Sequence, residues 1–168
     1  MPLSIAVFLI CVIAAFIALG YGYVLYWKSR IAACKRDIKA LFDNKFALCG
    51  GLSGVVADIH SKDSAVTLAL SRNLTRYIKA RDMAEFAAAD RRMSVVIKKI
   101  DALVAKYPLR YISTNYETLS RSLTAVEEKI EFSRQFYNDA VEGYNEKLFN
   151  FPMNIVSAIF SVKREAYI

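Results

Sequence analysis

The 168 residues are enough for one domain and an anchor but not for two full domains. Lysine and arginine total 23 against 16 aspartates and glutamates, a net charge of +7, and the only histidine, His60, rules out a histidine-rich metal site. Mean hydropathy is +0.26, high for a water-soluble chain, and three cysteines without close spacing do not make a disulfide framework.

The apolar excess is concentrated at the amino terminus. No charged side chain precedes Lys28, and Ile5 to Trp27 is a run of 23 uncharged residues. About 20 helical residues at ~1.5 Å each cross a hydrocarbon core of ~30 Å, so the run fits a spanning helix with some tilt. Tyr21, Tyr23, Tyr26 and Trp27 cluster where an interfacial aromatic belt belongs, and Lys28, Arg30, Lys35 and Arg36 follow at once. The other flank has no basic side chain, which puts Met1 outside and the rest of the chain in the cytoplasm. A cleaved signal peptide is the rival reading. Ala18-Leu19-Gly20 passes as a cleavage site, but the run lacks a basic lead-in and stays apolar beyond it. The expectation is a transmembrane anchor over 1–27 and a helical domain over 28–168.

Strand signals are nearly absent after the anchor, and the apolar residues follow a helical period. A first helix continues from the anchor with Ile31, Cys34, Ile38, Leu41 and Leu48 on one stripe and Lys45 as its polar exception. Gly50-Gly51, with Gly54 behind, predicts a kink or an end there. A second helix covers about 52–80, with Leu52, Val55, Ile59, Val66, Leu70, Leu74 and Tyr77 as its apolar face. Asp82-Met-Ala-Glu85 reads as a capping box opening a third helix to about Lys106, with Phe86, Met93, Ile97, Ile100, Val104 and Tyr107 on its seam and Pro108 as its stop. Thr114-Asn-Tyr-Glu117 is a second such box. It opens a long helix to about Asn150, whose seam runs from Tyr116 to Leu148 at steps of three and four with one seven. Phe151-Pro152 breaks it, and a short apolar helix from Asn154 to about Val162 folds back. The fold class is all-α: an N-terminal transmembrane helix, then an elongated antiparallel helical bundle.

Charge is uneven along the chain. Residues 28–112 carry 17 basic and 8 acidic side chains, and 113–168 carry 6 and 8. The simpler reading is that basic and acidic helices face each other within one bundle. The sharper one is attraction to an anionic surface, with lipid ahead of nucleic acid because no nucleic-acid-binding motif is present.

From Tyr107 onward the residues Tyr107-Pro108, Asn115-Tyr116, Leu119, Leu123, Glu127, Ile130, Arg134, Tyr137-Asn138, Val141, Tyr144-Asn145 and Phe151-Pro152 resemble the carboxy-terminal half of the LemA family. The doubled Tyr-Asn pair seven apart, followed by Phe-Pro, is its most specific feature. The resemblance implies an amino-terminal membrane helix with an antiparallel helical bundle, and it brings no established reaction. One departure stands out. Asn44 to Leu52 lacks the proline usual in the family's basic segment and has Gly50-Gly51 instead.

Candidate sites are few. Arg134, Asn138 and Asn145 share a face of the long helix, and each Asn adjoins a seam tyrosine. They read first as a polar network at the core boundary, since a buried amide must find partners, and second as a partner or ligand site. Arg72, Arg76, Lys79 and Arg81 form a basic face, solvated or turned to anionic lipid. Glu127, Glu128 and Glu131 lack the histidines of a carboxylate metal site and read as partners of basic helices. No nucleophile–base pair, metal motif or phosphate loop occurs, so neither catalysis nor a cofactor or metal is expected. The expected partners are the lipid bilayer, a membrane protein and a second copy of the chain.

Overall fold

The structure is a computed structural model that describes residues 2–59, 64–106, 114–151 and 153–168. Its described residues form α1 (Pro2–Ile59), α2 (Ser64–Lys79), α3 (Met83–Val104), α4 (Thr114–Phe149) and α5 (Met153–Ile159), with no strand among them. His60, Tyr107-Pro108, Pro152 and the Thr114 side chain, all singled out above, lie outside that description.

The all-α expectation holds, with one local correction. Gly50-Gly51 does not end the first helix, which runs on to Ile59 and takes in 52–59, read above as the start of the second helix. Each helical glycine costs about 1 kcal/mol against alanine, a penalty that packing can override. Cys49 and Leu52 beside the pair are fully buried, and a Cβ on Gly51 would stand 3.4 Å from Leu119 of α4, so the helix is held from outside. The stripe is also rotated from the expected one. Ile31 and Ile38 are buried as read, but Phe42, Phe46 and Cys49 take the places given to Leu41 and Leu48, and Lys45 is buried with them.

The cap of α3 forms at Asp82 as read, while the return contact of Glu85 falls one residue short of the expected box. The Glu85 N–H donates to Asp82 Oδ1 at 2.8 Å, while the Glu85 carboxylate accepts from the Arg81 N–H at 2.7 Å, one residue before the cap. The short helix α5 ends on Ser161, whose φ of 49° is left-handed, and the Val162 N–H returns to the Ser157 carbonyl at 2.9 Å.

Two compact units make up the chain: Met1–Lys35 with Gln135–Tyr167, and Arg36–Arg134 with Ile168. In the first, Val24 and Ile31 of α1, Tyr137, Val141, Tyr144 and Leu148 of α4, and Val156 of α5 are buried. Backbones approach closely here. A Cβ on Gly20 would lie 2.7 Å from Val156 Cγ2, and one on Gly143 would lie 2.9 Å from Trp27 Cη2. In the second, Phe42, Phe46, Leu70, Met93, Ile97, Ile100, Leu123 and Ile130 form the core. Tyr77 stacks on Phe46 at 3.7 Å and tilts against Phe86 at 5.1 Å, which joins α1, α2 and α3.

Within α1, the segment Leu3–Gly54 is long and apolar enough to cross a membrane, and only 6% of its most apolar stretch is buried. A helix at the core of a soluble protein would be mostly covered. The packing at Gly20 makes a prediction. Gly20→Ala should destabilise the detergent-solubilised protein by about 1–3 kcal/mol through overpacking, and Val156→Ala should recover most of the loss in the double variant. Thermal unfolding followed by circular dichroism measures both; equal melting of Gly20→Ala and the parent would refute the close approach.

Candidate functional site

The second unit is built around a buried lysine. Lys45 is 1% exposed, on the apolar stripe of α1, and an ammonium taken from water costs several kcal/mol unless it is paired and hydrogen-bonded. All three of its donors are engaged: Asp90 Oδ1 at 2.7 Å, Ser94 Oγ at 2.7 Å and Glu127 Oε1 at 2.8 Å. The Ser94 hydroxyl in turn donates to Glu127 Oε1 at 2.8 Å. Asp90 accepts a second cation, Arg134 Nη2 at 2.9 Å on its other oxygen, and Arg134 stands 5.7 Å over the ring of Phe42 and 3.7 Å from Glu131. Helix periodicity sets this up. Asp90 and Ser94 are one turn apart on α3, and Glu127 and Arg134 are two turns apart on α4.

Burial pushes the Glu127 carboxyl up, but the hydrogen bonds from Lys45 and Ser94 and the charges of Lys45 and Lys98 outweigh it and hold the group below the ordinary carboxylate value. Beside the cluster, Lys98, Glu128, Glu131 and Ile130 complete the lining of a depression of about 350 Å³. With all three donors engaged by groups on α3 and α4, the Lys45 ammonium compensates its carboxylate partners and ties the three helices together. Burial also pushes the neighbouring Cys49 thiol up to about 12.

The first unit contains a second construction, made by the doubled Tyr-Asn pair. After α5 the chain from Lys163 to Ala166 lies against α4. The Tyr137 hydroxyl donates to the Ala166 carbonyl at 2.7 Å, and the Tyr144 hydroxyl donates to the Lys163 carbonyl at 3.2 Å. Asn145 grips the Glu165 backbone from both sides, donating to its carbonyl at 2.9 Å and accepting its N–H at 3.0 Å. The spacing has a geometric reason. Seven helical residues rise ~10.5 Å and three extended residues span ~10 Å, so two tyrosines seven apart meet carbonyls three apart. The Glu165 side chain is held by Lys35 at 2.8 Å. Burial pulls the Lys35 ammonium down, and Glu165 and Tyr137 together more than restore it.

Of the residues singled out from sequence, Arg134 thus serves Asp90 and Asn145 serves the tail backbone, while Asn138 is half-buried. Arg72, Arg76, Lys79 and Arg81 are all exposed. Arg76 and Lys79 line a depression of about 360 Å³ with Arg92, and Glu85 lies in the same lining. Glu127 pairs with a basic helix as expected, whereas Glu131 reaches only Arg134 on its own helix among the described pairings. Sequence reading missed Lys45, Asp90, Ser94, Lys35 and Glu165 as site residues. A signal existed for two of them: Lys45 and Asp90 sit where the apolar stripes of α1 and α3 skip a turn, as Arg134 does in α4 between Ile130 and Tyr137.

The fold and these pairings define a class: an all-α protein with an apolar amino-terminal helix and helices registered by buried ion pairs. The LemA family model matches residues 35–168, and the chain belongs to the LemA family. No curated protein matches it.

Two predictions follow from the cluster. Lys45→Met should cost about 3–5 kcal/mol by leaving Asp90 and Glu127 undercompensated, and a cycle with Asp90→Asn should give a coupling of roughly 0.5–3 kcal/mol. Additive losses in urea titrations would refute the pairing. Because the folded Glu127 value lies below the unfolded value of about 4.3, its contribution is present above pH ~4.3 and is lost as pH falls through the folded value. The parent should therefore lose stability in that acid window more steeply than Glu127→Gln, and parallel melting curves against pH would refute it.

Proposed function

We propose that the chain is a membrane-tethered, non-enzymatic interaction module, with Ile5–Trp27 retained in the bilayer and the charged, carboxy-terminal part from Lys28 on the cytoplasmic side. The observation that carries this reading is the contrast within α1. Its apolar stretch is left uncovered over most of its length, while the helices beyond Lys28 bury their seams and pair their interior cations. Uncovered apolar area of that size is stable in lipid and not in water. The aromatic cluster at Tyr21–Trp27 and the basic residues after it support the orientation. Interior charges spent on one another favour a structural and binding role over chemistry. The module's partners are a membrane protein or a second copy of the chain.

Alkaline extraction of membranes should leave the full chain in the pellet with its amino terminus intact. In intact cells a membrane-impermeant maleimide should label Ser4→Cys and spare Cys34. Affinity purification from detergent should co-isolate a stoichiometric membrane partner or a second copy. A chain recovered in the aqueous fraction, starting near Tyr21, would end the tether; a lone monomer in every detergent would end the module.

A further inference from the structure

We propose that α5 and its flanks are a second membrane contact, an interfacial element that lies in the lipid headgroup and upper acyl region beside the point where α1 leaves the bilayer. This rests on the reading that Ile5–Trp27 crosses the membrane. No charged side chain occurs between Lys147 and Lys163, and the intervening residues leave Phe149, Phe151, Ile155, Ile159 and Phe160 between 43% and 80% exposed. An apolar face of that extent on a small helical unit needs a partner.

Three contacts within the unit fix the depth. Gly143 of α4 meets Trp27, Val156 of α5 meets Gly20, and the ring of Phe160 lies 4.5 Å from that of Tyr21. Gly20 precedes Lys28 by eight residues, which at ~1.5 Å each places α5 about 12 Å toward the bilayer from the first charged residue. Interfacial helices bury their apolar face ~5–10 Å into the headgroup and acyl boundary, so α5 stands at the level where lipid already surrounds α1. The occupant of the exposed face is therefore the same lipid that covers the anchor. The charges fit this placement. Basic Lys147, Lys163 and Arg164 flank the apolar run in sequence, as at a headgroup boundary, and the Arg164 guanidinium lies 3.9 Å over the Phe149 ring, a cation–π contact. The one inward residue of α5, Val156, is fully buried on the close-packed Gly20, so α5 is held against the anchor.

The test is spin-label depth measurement on the full chain in phosphatidylcholine vesicles. Cys11→Ala and Cys34→Ala clear the background, and Cys49 stays because its buried thiol does not label. Labels go at Phe151→Cys and Ile159→Cys, with Leu9→Cys as the anchor reference and Asp139→Cys as the aqueous one; all four positions are exposed. The ratio of oxygen to nickel-chelate accessibility at 151 and 159 should exceed that at 139 severalfold and fall below that at 9. Ratios at 151 and 159 equal to that at 139, with position 9 deep in lipid, would overturn the interfacial element and leave the anchor standing. An aqueous ratio at position 9 would overturn both. Spin–spin broadening between labels at 159 without oxygen preference would give the face to a second copy and overturn the lipid assignment.

Discussion

A charged amine in a core has few stable arrangements, and Lys45 adopts one of them. Its ammonium is almost wholly removed from water, and each of its three hydrogens meets an oxygen at 2.7–2.8 Å. The partners come from α3 and α4, so one residue of α1 dictates where two other helices must stand. Rotating any of the three by one residue would carry its charge about 100° away and leave an ion uncompensated, at a cost of several kcal/mol. Apolar seams alone tolerate such slips more readily, because one aliphatic contact replaces another. Asp90, shared between Lys45 and Arg134, ties the cluster together.

The first unit solves a different problem. An extended tail has backbone groups that a helix cannot satisfy for it, and buried carbonyls and N–H groups need partners. Tyr137, Tyr144 and Asn145 supply them from one face of α4, and Lys35 secures the Glu165 side chain from α1. The family signature in this half of the chain is thereby given a physical meaning. The two tyrosines seven apart, with Asn145, hold the returning tail, and α5 is the loop-back that brings that tail into place.

Membership of the LemA family and an uncovered apolar stretch of α1 set the architecture. The charged interior groups Lys45, Asp90, Glu127 and Arg134 are engaged with one another, and the Cys49 thiol is buried beside them. What remains available is surface: the exposed basic side chains of α2, the depression beside Lys45, and the apolar run around α5.

Composition and period alone determined the amino-terminal apolar run, the helical class, the α3 cap and most seam positions, because these depend on spacing along one chain: 3.6 residues per turn, an uncharged stretch, a cap three residues from its partner. Tertiary packing decided the rest. Gly50-Gly51 stays helical because neighbours hold the turn, Lys45 is interior because carboxylates arrive from residues 90 and 127, and Asn145 binds the tail because the chain returns past it. Each outcome is an energy shared between residues 20 to 82 positions apart, and no local pattern records which distant group will supply the missing half.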